Sequence, residues 1–151
     1  MTTNTIKKTV TKLAITLLAI TATVCSAKSE WVKVIQTETS VHYYLDKSDN
    51  EPHDDILYTS MISIYRYPTP LITKDKKEIS YKSKNETIMI DCKKKLIAAP
   101  DKEYYADTQA QKGTEIYFYV TPPDQLEWLL IESDPVFDAL YKKVNNACKA
   151  Y

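Results

Sequence analysis

The alternation of apolar and polar residues predicts β-strands along most of the chain after residue 30. Residues 31–37 and 40–46 combine β-branched and aromatic residues with polar ones at alternate positions, which is typical of a hairpin. Residues 56–67 contain no glycine or proline and predict a long central strand, which Pro68-Thr69-Pro70 is expected to end. Residues 79–92 and 115–121 predict further strands, and residues 95–99 and 103–107 predict the next strand or an irregular pair.

The end of the chain predicts one amphipathic helix that begins at Asp134-Pro135. An aspartate can accept hydrogen bonds from the free amides of a first helical turn, and proline is suited to the first helical position. The apolar residues that follow are three or four positions apart and therefore share one face: Phe137, Leu140, Tyr141, Val144 and Cys148. Cys148 is thus expected to point toward the core from the last turn of the helix.

The first 27 residues have the three zones of a secretory signal peptide. Lys7, Lys8 and Lys12 precede an apolar run over residues 13–24, which is shorter than the roughly 20 residues of a membrane-spanning helix. Cleavage after Ala27 would leave residues 28–151 as one exported domain, either periplasmic or secreted. The alternatives are a lipid anchor on Cys25, which would be the only contact with a membrane, and a short helix that is not cleaved.

The cysteine count agrees with export. Removal of residues 1–27 takes Cys25 from a total of three cysteines and leaves Cys92 and Cys148. An even pair in an oxidising compartment predicts one disulfide. The chain contains no C-x-x-C spacing, so no metal site is expected.

Catalytic machinery is not visible in the sequence. The single glycine, Gly113, excludes phosphate-binding loops, dinucleotide-binding turns and nucleophile elbows, which need several glycines. His42 lies in a predicted strand and His53 in an acidic loop, and neither has the spacing of a known metal or base motif. We therefore expect no enzymatic activity and no cofactor.

Charge and tyrosine content point to a binding role. Without the three lysines of the signal segment the chain has 17 basic and 20 acidic residues, which argues against a nucleic-acid partner. Residues 74–95 nevertheless hold eight lysines against four acidic residues, and many of the 12 tyrosines fall on predicted strands. The predicted partner-binding residues are Lys82, Lys84, Lys93, Lys94, Lys95, Tyr104 and Tyr105. The alternative is that the lysines protect strand edges and the tyrosines cover the sheet.

The order of several landmarks resembles the surface-adhesin protein E family of Gram-negative bacteria. These landmarks run from residue 31 to residue 148: Trp31, residues 43–46, Ser83, Asp91-Cys92, Tyr104-Tyr105, Glu127-Trp128, Val144 and Cys148. The resemblance implies an α+β fold, with an antiparallel sheet of about five to six strands and a C-terminal helix packed on it. It also implies that a Cys92–Cys148 disulfide ties the helix to the sheet.

For function, the resemblance implies a cell-surface protein that binds host matrix or plasma proteins. The alternative is a periplasmic accessory or inhibitor protein that acts on an envelope component or an enzyme.

Overall fold

The computed structural model describes residues 30–46 and 52–149, so the predicted signal peptide and Cys25 lie outside the described residues. The expected α+β class is confirmed: the described chain forms one mainly antiparallel sheet and one C-terminal helix. The sheet has eight strands rather than five to six, because residues 96–98 and 101–105 form two separate strands and the short strand Leu129–Leu130 was not expected. In chain order the elements are β1 (Glu30–Gln36), β2 (Ser40–Asp46), β3 (Ile56–Ile72), β4 (Glu78–Asp91), β5 (Leu96–Ala98), β6 (Asp101–Tyr105), β7 (Tyr117–Val120), β8 (Leu129–Leu130) and α1 (Pro135–Lys149).

The sheet forks at β4. Strands β1, β2, β3 and β4 follow one another with antiparallel pairing, which confirms the predicted first hairpin. The end of β4 then pairs with β5, which pairs with β8, while the middle of β4 pairs with β6, which pairs with β7. We call β5, β8 and α1 the helix arm, and β6 and β7 the tyrosine arm.

Strand β3 does not end at Pro68-Thr69-Pro70, so that expectation was wrong. The strand continues to Ile72 after an irregularity in its register with β4 between Ile64 and Thr69. Strand β2 leaves β3 at Tyr65, and both prolines are exposed. A proline lacks an amide donor, which costs nothing where its nitrogen faces an open edge.

Helix α1 begins where the sequence predicts. Asp134 Oδ1 accepts hydrogen bonds from the amides of Val136 at 2.7 Å and Phe137 at 3.3 Å. The apolar face of the helix is buried on the sheet, with Leu140 fully buried and Val144 nearly so. These two residues share a core with side chains from the sheet and the segment before the helix: Tyr44, Leu57, Met61, Ile88, Ile90, Ile97 and Ile131.

The predicted disulfide is present and ties the helix to the sheet. Cys92 follows directly on β4, Cys148 lies in the last turn of α1, and their Cα atoms are 5.3 Å apart. The bond closes a loop of 56 residues, a length for which chain entropy gives about 4 kcal/mol of stabilisation.

Candidate functional site

A rigid turn carries three of the predicted binding lysines between β4 and β5. Asp91 Oδ1 accepts hydrogen bonds from the amides of Lys93 at 3.1 Å and Lys94 at 2.8 Å. The amide of Lys95 donates to the Asp91 carbonyl at 2.9 Å, and Lys95 has a φ of 56° that closes the turn. We call Lys93–Lys95 the lysine turn. Its backbone is fixed from within, while all three side chains are exposed.

The disulfide places the lysine turn beside the end of α1. Cys92 precedes the turn and is held by the bond to Cys148 and by its own amide, which donates to the Asp55 carbonyl at 3.0 Å. Exposed Lys149 follows Cys148 directly. Lys93 and Lys149 are far apart in the sequence, but they flank the two cysteines of one disulfide and are therefore close together in the fold.

A cleft of about 320 Å³ opens between the lysine turn, β8 and α1. We call it the lysine cleft. Leu130 contributes an apolar wall and is 64% exposed. Lys94, Lys95 and Lys142 contribute positive charge, and Glu132 and Asp138 contribute negative charge, so the lining carries one net positive charge. An exposed leucine beside several cations suits a partner segment that combines acidic and apolar side chains.

Most of the positive charge at this cleft is available to a partner. Lys94 lies 3.4 Å from Asp91 and Lys142 lies 2.6 Å from Asp138, but both lysine side chains are largely exposed. The Lys142–Asp138 pair is partly exposed and contributes little stability. The Asp91 carboxylate is only 10% exposed and also accepts hydrogen bonds from the amides of Lys93 and Lys94. Lys93 and Lys95 form no ion pair within residues 30–46 and 52–149.

The other predicted binding residues lie elsewhere, so the structure does not unite the predicted set. Lys82 and Lys84 are in the middle of β4, where Lys84 is seven residues from Asp91, or roughly 23 Å along the strand. Tyr104 is 8% exposed and Tyr105 is 1% exposed. These two tyrosines therefore pack mostly inside the fold, although Tyr104 still lines a small cleft beside Lys102.

The buried tyrosines form part of a row of rings that runs toward β7. Ring centroids are 5.3 Å apart for Tyr65 and Tyr81, 4.8 Å for Tyr81 and Tyr104, and 5.9 Å for Tyr104 and Tyr117. Burial raises the pKa of Tyr81 and of Tyr104 to about 12. Tyr81 and Tyr104 are thus neutral, and the row covers this part of the sheet.

His42 takes part in a buried hydrogen-bond chain that ties β2 to β3. Its Nε2 lies 2.7 Å from Ser40 Oγ and its Nδ1 lies 2.9 Å from Ser63 Oγ. Burial, followed by the charge of Lys84, lowers the pKa of His42. Both serines are buried.

Groups that could hold a metal are not brought together in the described residues. Histidine, cysteine, aspartate and glutamate side chains form no cluster of three suitable ligands there. His53 instead pairs only with the neighbouring Asp54, at 3.1 Å on the exposed surface.

The sequence did not indicate Leu130, Tyr141 or Lys142 as site residues. They line the lysine cleft. Local sequence patterns could not connect them with the lysine turn, because they lie 35 or more positions after it. The signal that could have found them is the helical stripe, because Cys148 on that stripe must approach Cys92 and bring the helix with it.

Comparison with known families bears directly on this fold. The family model described as surface-adhesin protein E matches residues 31–149. The chain belongs to the surface-adhesin protein E family. This membership supports an adhesin-like surface protein, which is exported or displayed at the cell surface.

Comparison with curated proteins and with solved structures gave no match. Within the residues that the structure describes, no helix is both long and apolar enough to cross a membrane.

Proposed function

We propose that this member of the surface-adhesin protein E family is a non-catalytic binding protein that engages a host matrix or plasma protein through the lysine cleft. The observation that carries the proposal is the grouping of exposed lysines around an exposed leucine on a covalently clamped surface. Of the predicted partner-binding residues, the proposal keeps the lysine turn. It adds the residues of β8 and α1 that line the lysine cleft. Family membership supports a protein partner and does not favour the periplasmic accessory alternative.

The physical basis of binding would be electrostatic attraction followed by apolar contact. Exposed cations steer an acidic partner toward the surface and raise the rate of association. Leu130 then offers apolar area that a partner side chain can cover. A fixed turn loses little conformational entropy on binding, which favours affinity.

The direct test is surface-plasmon resonance of the purified domain against vitronectin, laminin and plasminogen. We expect binding to at least one of them, weakened by added salt because screening acts on exposed charges. Replacing Lys93, Lys94 and Lys95 with glutamine should weaken that binding roughly tenfold, since each exposed lysine contributes up to about 1 kcal/mol.

A matched control removes the same number of charges elsewhere. Lys33, Lys76 and Lys77 are exposed and lie outside the lysine cleft, so their replacement with glutamine should leave affinity within about twofold. Leu130→Ser should weaken binding without changing its salt dependence. Equal loss in both triple variants, or no binding to any of the three proteins, would refute the proposal.

Surface display is tested separately by treating intact producing cells with protease. A surface adhesin should be degraded, whereas a periplasmic protein should be protected until the outer membrane is opened.

A further inference from the structure

A cleft of about 220 Å³ lies on the tyrosine arm, where the turn between β3 and β4 approaches β7. Three tyrosines line it together with two lysines: Tyr104, Tyr117, Tyr119, Lys74 and Lys102. We call it the tyrosine cleft. It shares no lining residue with the lysine cleft, so it is a separate candidate site.

Both charged side chains that line the tyrosine cleft are positive. Lys74 is exposed and Lys102 is half-buried, and within the described residues neither ammonium has a carboxylate oxygen within 4.0 Å. Lys102 lies opposite Glu86 in the register of β4 with β6, but the Glu86 carboxylate is buried and pairs with Lys84 at 2.9 Å. The two lysines therefore offer unmatched positive charge to an anion that enters from solvent.

Contacts between the β3–β4 turn and β7 shape the tyrosine cleft in advance. The amide of Lys74 donates to the Tyr117 hydroxyl at 3.3 Å, and Lys74 Nζ lies 4.2 Å from the centre of the Tyr119 ring. The turn itself is fixed, because the amide of Lys77 donates to Thr73 Oγ1 at 3.1 Å and the amide of Thr73 donates to the Lys77 carbonyl at 2.8 Å. A preformed site of this kind loses little conformational entropy when a ligand binds.

The tyrosines add hydroxyl groups and ring faces to the two cations. The Tyr117 hydroxyl accepts a hydrogen bond from the Lys74 amide, so its own proton can be donated to a ligand. Ile72 also lines the cleft and is 73% exposed, which extends its apolar area. A matching ligand must combine negative charge, hydrogen-bonding groups and apolar faces. A sugar ring that carries a carboxylate has all three, since its C–H bonds form apolar faces and its hydroxyls form a polar rim.

The size of the tyrosine cleft limits what it can hold. Its volume of about 220 Å³ is below the roughly 300–1,000 Å³ of pockets that enclose a whole ligand, and it opens on the surface. One unit of a longer chain fits such a space, and the rest of the chain can continue outside it.

We propose that the tyrosine cleft binds one uronate unit of an acidic polysaccharide. The uronate carboxylate would pair with Lys74 and Lys102, and the sugar ring would pack against Tyr119 and Ile72. An acidic peptide fits less well, because aspartate and glutamate side chains supply the charge without a ring face. Uronate units occur both in animal matrix polysaccharides and in bacterial exopolysaccharides, and the test separates these two sources.

The test is a titration of the intact protein, followed by two-dimensional amide NMR. The probes are a hyaluronan hexasaccharide, for the animal source, and a mannuronate hexasaccharide, for the bacterial source. We expect saturable, salt-sensitive shifts at the amides of Ile72, Lys74 and Tyr119 with at least one of them, and the tighter probe identifies the source. The absence of saturable shifts with both would overturn the proposal.

Two further compounds separate charge from ring contact. Methyl esterification of the hexasaccharide removes its carboxylates and should weaken binding at least roughly tenfold. A hexapeptide of glutamate keeps the charge without the sugar rings and should also bind roughly tenfold more weakly than the hexasaccharide. Equal affinity for either compound would overturn the proposal.

Variants assign the contacts to residues. Lys74→Gln with Lys102→Gln should weaken the hexasaccharide roughly tenfold, since each lysine contributes up to about 1 kcal/mol. Tyr119→Ala should weaken it several-fold, whereas Tyr119→Phe should retain most of the affinity because it keeps the ring face.

The matched control for the lysine pair removes two charges at the lysine cleft. Lys93→Gln with Lys94→Gln should bind the hexasaccharide within about twofold of the native protein. Conversely, Lys74→Gln with Lys102→Gln should leave protein binding at the lysine cleft intact, so the two proposals can fail separately. Unchanged hexasaccharide affinity in Lys74→Gln with Lys102→Gln, or an equal loss in the control, would overturn the proposal.

Discussion

The two arms of the forked sheet leave the same strand but are stabilised differently. In the helix arm, Ile97 and Ile131 are almost fully buried beneath α1, and the disulfide fastens the end of that helix. In the tyrosine arm, β7 pairs only with β6 among the described strands, and no helix covers it. One part of a sheet can thus be covered by a helix and another part by large amphipathic side chains.

In the tyrosine arm, the sheet is covered by tyrosine rings and one lysine rather than by a helix. Lys74 Nζ lies 4.2 Å from the centre of the Tyr119 ring, and the amide of Lys74 donates to the Tyr117 hydroxyl at 3.3 Å. Tyrosine suits this position because its ring buries apolar area while its hydroxyl remains near water. On the other side of β7, Ile116, Phe118 and Val120 remain 41% to 54% exposed. The comparison indicates that the helix arm contributes more to folding stability than the tyrosine arm.

Removing the disulfide is expected to have the largest effect on stability, and it tests the difference between the two arms most directly. We expect Cys92→Ser with Cys148→Ser to lower the free energy of unfolding by about 4 kcal/mol, because a 56-residue loop is no longer closed in the unfolded chain. Denaturant unfolding with and without reductant measures this, and the variant should not respond to reductant. Amide exchange should accelerate more in α1 than in β7. Equal acceleration in both would contradict the difference between the arms.

Truncating the core beneath the helix should have the next largest effect. Leu140 is fully buried, so Leu140→Ala should lower the free energy of unfolding by about 3 kcal/mol through lost burial and the cavity left behind. Urea unfolding followed by tryptophan fluorescence gives the value. A loss below about 1 kcal/mol would show that the helix contributes little to the core.

Acidification should weaken the part of the sheet that contains His42. Burial holds the pKa of His42 below its ordinary value of 6.5, with Lys84 lowering it further and Glu86 and Asp134 opposing the shift. The unfolded chain therefore takes up the proton first as pH falls. Stability from this group is complete above pH 6.5 and declines below it, by at most about 1.4 kcal/mol per pH unit.

The pH effect is measured by urea unfolding at several pH values between 7.5 and 5. His42→Gln should remove the slope assigned to His42, while His53→Gln should retain it because His53 is exposed. A slope that persists in His42→Gln would assign the pH dependence to other groups.

The smallest effect is expected on the outer face of the tyrosine arm. Phe118 is 54% exposed, so Phe118→Ala should change the free energy of unfolding by about 0.5 kcal/mol or less. This variant is the counterpart of Leu140→Ala and is measured in the same way. Similar losses in both would mean that the two arms are equally packed.

Local patterning predicted the helix, its cap and most strands, because these depend on residues close together in the chain. The stripe that contains Leu140 and Cys148 could be assigned from spacing alone. The passage of β3 through Pro68 and Pro70 could not, since it depends on the pairing of β3 with β2 stopping at Tyr65, opposite Ser40, and leaving an open edge. A proline pattern does not reveal which side of a strand has a neighbour.

The sites were harder to predict because they are assembled from distant segments. Tyr104 and Tyr105 have the composition of a binding surface, yet the long β4 and the rings beside it bury them. Lys102 resembles an ordinary surface residue in the sequence, and only its register with Tyr119 places it in the tyrosine cleft with Lys74. Register between strands is a long-range property that composition does not encode.

The two prolines of β3 also affect how copies of this protein meet. Beyond Arg66, whose amide donates to the Thr39 carbonyl, no described strand pairs with β3 on this side, and such an open edge can pair with a strand from another molecule. Pro68 and Pro70, at alternate positions, withdraw the donors that this pairing would need. At high local concentration, this feature would keep neighbouring copies from polymerising through β3.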